Sequence, residues 1–147
     1  QLPTILLIQD TKKIKKQFTL LVTGLVMVGL LAFVPKRSTQ DPWPVPDAYK
    51  TKVNPLKGNA ESINTGKTLY NQHCKSCHGA KGKGDGPKAS QLDTECGDFT
   101  KASFQAQTDG ALFYKTYQGR KDMPSYKTKI PDANDIWAVV NYMRTLK

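Results

Sequence analysis

The chain has 147 residues and carries 22 Lys+Arg against 12 Asp+Glu, so its formal net charge is +10. The excess is spread out: residues 1–34 carry +3, residues 35–58 carry +3 and residues 59–147 carry +4. Because no segment is strongly basic and no basic-aromatic face is evident, we expect no nucleic-acid partner. Three cysteines exclude a disulfide-dense scaffold, and two of them stand in one short motif.

Residues 18–34 form an apolar stretch of 17 residues without a charged side chain. A helix of that length spans about 25 Å, the lower limit for crossing a bilayer core of about 30 Å. A buried core helix would show a polar face, and a cleaved secretion signal would be followed by a small-x-small site. Neither feature is present, which favours a transmembrane anchor. Four lysines precede the stretch, so we expect residues 1–17 on the cytoplasmic side or in the interface and the rest of the chain outside.

Residues 35–58 hold five of the nine prolines of the chain. A proline-rich segment is extended, and at about 3.1 Å per residue these residues could reach about 75 Å. We therefore predict a linker, or a strap that lies over a partner. Trp43 stands between two prolines here and has three interpretations: docking to a partner, packing on its own domain, or contact with the membrane interface.

Residues 59–147 number 89, which is close to the size at which a core made of protein alone becomes marginal. Helical periodicity recurs in this stretch and nothing alternates with period 2 for long, so we predict an all-α domain. Three helices are expected: one around 63–73, one from Thr108 that stops before Gly119, and one after Pro131 that opens with a capping-box pattern.

This domain contains the motif Cys74-Lys-Ser-Cys77-His78, the attachment signature of a c-type haem. Two thiols one helical turn apart can add to the two vinyl groups on one edge of the macrocycle, and the next residue then directs an imidazole towards the iron. The spacing predicts one covalent haem c, with Cys74 and Cys77 as thioether residues and His78 as an iron ligand.

Two other chemistries use paired cysteines and remain open as alternatives. A zinc site would combine Cys74 and Cys77 with Cys96 and a histidine, but adjacent Cys77 and His78 rarely ligate one zinc ion together. A thioredoxin-like dithiol needs a strand-to-helix context, which the sequence around the motif lacks.

The sixth iron position needs a second side chain. Met27 lies in the predicted anchor and Met143 on the core face of the last helix, whereas Met123 stands in a loop directly before a proline. We therefore predict Met123 as the axial ligand, which raises the reduction potential of a haem iron. His73 is a second candidate for this iron ligand, but it immediately precedes Cys74 and is poorly placed to reach the distal face.

Glycines follow the motif, with four of the eleven lying between Gly79 and Pro87. A phosphate-binding loop would need a preceding strand and a Gly-Lys-Ser/Thr ending, and both are missing. We expect these glycines to let the backbone pass close to a flat ligand.

Taken in order, these motifs resemble the class I monohaem cytochrome c family. The matching stretches all lie within 59–147: Cys74-Lys-Ser-Cys-His-Gly79, Gly84-Asp-Gly-Pro87, Met123-Pro-Ser-Tyr126 and Ile136-Trp-Ala-Val-Val-Asn-Tyr142. The resemblance implies a small fold wrapped around one covalent haem. It implies that His78 is the proximal ligand, that the Pro87 carbonyl accepts a hydrogen bond from His78, and that Met123 is the distal ligand.

The resemblance also implies how the first and last helices of the domain cross. Gly66 and Tyr70 are expected to meet the last helix at Val139 and Tyr142, and the small residue at 66 makes this close packing sterically reasonable. Cys96 has no counterpart in the family pattern, and we expect a free thiol at the surface or in a pocket.

We expect a one-electron carrier, not an enzyme, tethered to the bacterial inner membrane by a single span with its haem domain on the periplasmic side. It resembles the anchored cytochrome subunits of bacterial quinol-oxidising complexes, haem-copper oxidases and photosynthetic reaction centres, which implies redox protein partners within a membrane complex. One alternative is an open-site haem protein, peroxidase-like or gas-sensing, which requires Met123 to be off the iron. Another is a mainly structural clamp subunit.

Basic side chains come from the segments expected to border the haem edge. Charge there would steer docking to acidic partners more than it would tighten a complex; the simpler interpretation is a solvated face. The residues are Lys75, Lys81, Lys83, Lys88, Arg120, Lys121, Lys127 and Lys129.

Overall fold

Six helices and one 3-10 turn make up the part of the chain that the computed structural model describes, residues 42–147. We label the helices α1 to α6 in chain order. They are α1 Asp47–Lys50, α2 Ala60–His73, α3 Lys75–His78, α4 Ala102–Gln105, α5 Asp109–Gln118 and α6 Ala133–Met143, with the 3-10 turn Ala89–Gln91 between α3 and α4. Within 42–147 no strand is formed, so the all-α prediction is confirmed for these residues.

The predicted anchor at 18–34 and the segment 1–17 lie outside the described residues. Among the helices within 42–147, none is long and apolar enough to cross a membrane. The anchor stays a prediction.

The three long helices begin where the sequence places a capping side chain. Asn59 accepts a hydrogen bond from the Ser62 amide at 2.9 Å, and Asp132 accepts one from the Asn134 amide at 2.8 Å. Thr108 caps α5 in the same way. Such a cap contributes about 1 kcal/mol, because it satisfies an amide that the first helical turn leaves without a partner.

Helices α2 and α6 cross with their backbones in close contact. A Cβ added to Gly66 would lie 1.9 Å from the Ala138 carbonyl oxygen and 3.0 Å from the Val139 amide nitrogen, so only glycine fits there. One turn further on, the Tyr70 and Tyr142 rings pack with their centroids 5.1 Å apart. The crossing implied by the family resemblance is therefore confirmed.

Helix α6 is the centre of the core, since every residue from 136 to 143 is buried. Trp137 packs on Phe113 of α5 with ring centroids 4.3 Å apart. Leu112, which is 2% exposed, and Ile130, also 2% exposed, close the same cluster. Helices α2, α5 and α6 thus form the frame on which the connecting loops are placed.

Residues 42–58, for which we predicted a linker or a strap, lie against α5 and α6. The Tyr49 ring packs on Tyr114 with centroids 4.8 Å apart. The side-chain amide of Asn54 donates to the Asn141 Oδ1 at 2.8 Å and to the Asp109 Oδ2 at 3.1 Å. A buried amide that is satisfied in this way makes residue 54 a part of the packed body.

Candidate haem site

The Cys-x-x-Cys-His motif forms the junction between α2 and α3. Cys74 ends α2, and its carbonyl accepts hydrogen bonds from the Cys77 amide at 3.1 Å and the His78 amide at 3.0 Å. All three cysteines of the chain are free, with Cys74 buried and Cys77 partly buried. One helical turn therefore separates two unpaired thiols, as attachment to two neighbouring vinyl groups requires.

The glycine loop after the motif lies along the carbonyl groups of α3. The carbonyls of Ser76, Cys77 and His78 accept hydrogen bonds from the amides of Lys88, Gly86 and Gly84, at 2.9, 3.1 and 2.9 Å respectively. Carbonyls at the end of a helix need such partners. The loop thus fixes the motif from one side.

Two of these glycines are required by the close approach of backbone. A Cβ on Gly86 would lie 2.5 Å from the Ser76 carbonyl oxygen, and one on Gly84 would lie 2.5 Å from the Cys96 carbonyl oxygen. We had expected the glycines to make room for a flat ligand; in the structure the close neighbours at these two positions are backbone atoms.

The His78 imidazole packs against the Phe99 ring with centroids 4.6 Å apart. Burial lowers the pKa of His78 to about 4, and a hydrogen bond with the Cys96 backbone acts in the opposite direction. A pKa so far below neutrality leaves the imidazole uncharged at pH 7, which is the state that can donate a lone pair to a metal.

One nitrogen of this imidazole, Nδ1, is buried and has no hydrogen-bond partner. A buried polar atom without a partner costs free energy, so Nδ1 is a candidate for one further hydrogen bond. In the structure Nδ1 makes no hydrogen bond to the Pro87 carbonyl, and that bond stays a prediction. Pro87 lies between Gly86 and Lys88, both of which are bonded to α3.

Met123 lies in a tight turn after α5, residues 120–123, which we call the distal turn. The amide of Arg120 donates to the Met123 carbonyl at 2.8 Å and the Met123 amide donates to the Arg120 carbonyl at 3.0 Å. Met123 is partly buried and packs against the hydrophobic core. The Tyr126 hydroxyl donates to the His73 carbonyl at 2.8 Å, which ties the chain after the distal turn to the residue before Cys74.

The loop that contains Cys96 joins the two parts of the site. The Thr94 amide donates to the Asp122 carboxylate at 2.8 Å, and the Cys96 carbonyl approaches Gly84. Burial and then the neighbouring Cys77 raise the pKa of the Cys96 thiol. Cys96 is thus a free, partly buried thiol, as expected from the sequence.

The zinc alternative finds no support in the described part of the chain. Within residues 42–147, no group of three or more His, Cys, Asp or Glu side chains is arranged to hold a metal ion. The dithiol alternative lacks its strand as well, since the motif follows a helix.

Sequence reasoning missed several residues that build the site. Phe99 and Asp122 carry no periodic signal because they lie in loops, and their partners are distant in sequence. Tyr70 was predicted to lie at a helix crossing, but its hydroxyl also donates to the Gly79 carbonyl at 2.7 Å. Arg120 was placed on the basic border; its side chain instead donates to the Pro42 carbonyl at 2.8 Å. The other seven basic residues of that border are exposed.

Comparisons with known proteins agree with this arrangement. The family model for cytochrome c matches residues 63–147, which is more than half of the chain. Among solved structures, a chain of the Kuenenia stuttgartiensis reducing HAO-like protein complex is 26% identical, with a TM-score of 0.58 over 73% of this chain and 51% of that chain. The chain therefore spans about half the length of that relative. No curated protein matches it.

The observations of this site fit a covalently bound haem c. The two thiols are free and one turn apart, and the adjoining imidazole is uncharged and incompletely bonded. A domain of this family carries haem through such a motif and uses it for electron transfer. From the match over 63–147 and from this geometry, the chain belongs to the cytochrome c family.

Proposed function

We propose that the chain carries one covalent haem c and acts as a one-electron carrier, as a subunit of an electron-transfer complex at the outer face of a bacterial membrane. The observation that carries the proposal is the pair of free thiols and the incompletely bonded imidazole at the α2–α3 junction. When bound, the haem supplies a one-electron redox couple at its iron.

Each site residue has a distinct role in this proposal. Cys74 and Cys77 would form the thioether bonds, and His78 would bind the iron. The Pro87 carbonyl would orient His78 by accepting its Nδ1 hydrogen, which would fix the ring and raise its basicity as a ligand. Met123 would be the second iron ligand, which would keep exogenous ligands off the iron and raise its reduction potential.

Location and partners rest on the sequence and on the solved relative. The apolar stretch 18–34 would hold the domain at the membrane, and the lysine excess before it would direct the rest of the chain to the periplasmic side. The relative comes from a protein complex, which supports the proposal that this chain also binds partner subunits. Exposed lysines from 75 to 129 offer a surface for an acidic redox partner.

The decisive experiment is the optical spectrum of the reduced, haem-loaded full chain with and without carbon monoxide, together with its mass. We expect the mass of one covalent haem and a spectrum that carbon monoxide leaves unchanged, because a carrier with both axial positions filled offers no open site. A carbon monoxide complex in the parent chain would instead favour the open-site alternative.

Matched variants assign the residues. Cys74→Ser and Cys77→Ser should each remove one thioether bond, whereas Cys96→Ser should leave the haem mass and spectrum as in the parent. Met123→Ala should keep the haem attached, lower its potential, and remove the sulfur-to-iron charge-transfer band. If that band and the potential survive in Met123→Ala, the distal ligand is another residue.

A further inference from the structure

Two basic side chains of its own domain contact the Trp43 ring. The Arg120 guanidinium carbon is 4.8 Å from the centre of the Trp43 ring, and the Lys115 Nζ is 5.6 Å from it. Both distances are within the range of an attractive cation–π contact. Of the three sequence interpretations of Trp43, the structure therefore favours packing on its own domain.

The ring compensates for two like charges that would otherwise repel each other. Both cations lie within about 6 Å of the centre of one ring, and burial and then the Arg120 charge lower the pKa of Lys115. The negative face of an indole ring is attractive to both. Arg120 is held a second time, because its guanidinium donates to the Pro42 carbonyl at 2.8 Å.

Arg120 is also one end of the distal turn. Its backbone exchanges two hydrogen bonds with Met123, at 2.8 and 3.0 Å. Between them, Lys121 has a φ of 53°, a left-handed conformation that costs a residue with a side chain about 1 kcal/mol. A strained turn of this kind persists only where its surroundings fix it, and the contacts to Arg120 are part of those surroundings.

We propose that Trp43 is a positioning residue for the distal ligand: by holding the Arg120 side chain, it holds the turn that presents Met123 to the iron. The inference rests on the proposed function, in which Met123 binds iron. Pro42 and Trp43 lie before residue 63, where the family match begins. The Trp43 contact is therefore an addition from outside the matched region, and it links the segment next to the predicted anchor to the haem ligand.

The test is a titration of the ferric, haem-loaded full chain with imidazole, which replaces a methionine ligand only when the loop that carries it releases it. The affinity for imidazole therefore measures how firmly Met123 is held. We expect Trp43→Ala to bind imidazole about tenfold more tightly than the parent chain, in line with the size of a partly desolvated cation–π contact. The charge-transfer band should remain at the start of the titration.

Three further single variants and one double variant separate this effect from a general loosening of the domain. Trp43→Phe keeps a ring and should change the affinity less than Trp43→Ala. Tyr49→Ala removes a ring contact of the same segment to Tyr114 but no contact to Arg120, and it should leave the affinity near that of the parent. Arg120→Gln removes both the contact to the ring and the bond to the Pro42 carbonyl, so it should raise the affinity at least as much as Trp43→Ala. The double variant should add little to Arg120→Gln alone, because Trp43 acts through Arg120.

Each outcome decides for or against the proposal. It is overturned if Trp43→Ala binds imidazole as the parent does, if Tyr49→Ala has an equal effect, or if Trp43→Ala and Arg120→Gln are fully additive. A parent chain with covalent haem but no charge-transfer band would overturn the Met123 assignment and this inference together, and it is recognised before any variant is made. If Trp43→Ala fails to fold, Trp43→Phe and Arg120→Gln supply the same comparison.

Discussion

The proximal side of the candidate site, residues 74–88, and the distal turn are built in different ways. The proximal side is held by backbone hydrogen bonds between residues close in sequence, such as those from Gly84 and Gly86 to α3. The distal turn is held by side chains and amides from far away, including a bond between Arg120 and Pro42 that spans 78 residues. The comparison teaches that one proposed ligand, His78, is placed by local chain geometry and the other, Met123, by tertiary packing.

The largest expected effect comes from removing the remote contacts together. We expect fragment 59–147 to be about 5 kcal/mol less stable than fragment 35–147, because it loses the Asn54 hydrogen bonds, the packing of Tyr49 and the Trp43 contact. Buried Asn141 would also lose its bond to Leu56. Denaturant unfolding of both haem-loaded fragments measures the difference, and equal midpoints would mean that residues 42–58 do not support the domain.

A single substitution at Gly86 should destabilise the proximal side. Gly86→Ala places a Cβ 2.5 Å from the Ser76 carbonyl oxygen and 2.7 Å from the Cys77 carbonyl oxygen. We expect the free energy of unfolding to fall by about 3 kcal/mol and the haem yield to be low, because the backbones of the glycine loop and of α3 must move apart. Gly58→Ala is the control, since nothing lies within 4 Å of its Cβ position and its cost, set by its positive φ alone, should be about 1 kcal/mol. Similar losses at both sites would contradict the steric argument.

A smaller change should loosen the distal turn alone. Asp122→Ala removes the carboxylate that accepts from the Thr94 amide at 2.8 Å, a bond near the surface worth about 1 kcal/mol. We expect slightly tighter imidazole binding to the ferric protein and an unchanged haem yield. Asp93→Ala, an exposed acidic residue of the same loop, serves as the control. A loss of haem attachment in Asp122→Ala would show that the two sides do not separate as described.

The smallest expected change is the response of the full chain to salt. A domain fixed beside its partner has an effective concentration of roughly millimolar, so turnover of the full chain in the proposed membrane complex should vary little with ionic strength. Fragment 35–147 must find its partner by diffusion, and its turnover should fall steeply as salt screens the exposed lysines. Equal and steep salt dependence in both forms would mean that the tether does not hold the haem in place.

The sequence predicts the helices and the motif that depend on local pattern. It does not reveal contacts between residues that are far apart in the chain. Helices α2, α5 and α6 follow from periodicity and from the caps Asn59, Thr108 and Asp132, and the motif at 74–78 follows from its spacing. Short helices such as α1 carry too few turns to show a period. The pairing of Asn54 with Asn141, 87 residues apart, leaves no mark in either local sequence, and neither does the contact of Trp43 with Arg120.

The hydrogen bonds between the glycine loop and α3 fix the number of residues that this loop can contain. Three consecutive carbonyls of α3, those of residues 76 to 78, accept hydrogen bonds from the amides of residues 88, 86 and 84. Residues 85 and 87 donate no hydrogen bond to these carbonyls. Proline has no amide hydrogen and can stand at 87 without loss. A one-residue insertion between Gly84 and Gly86 would shift the register and bring a proline to a donor position. We therefore expect single insertions there to prevent attachment of the haem, whereas insertions of the same size after Gln91 should leave these hydrogen bonds in register.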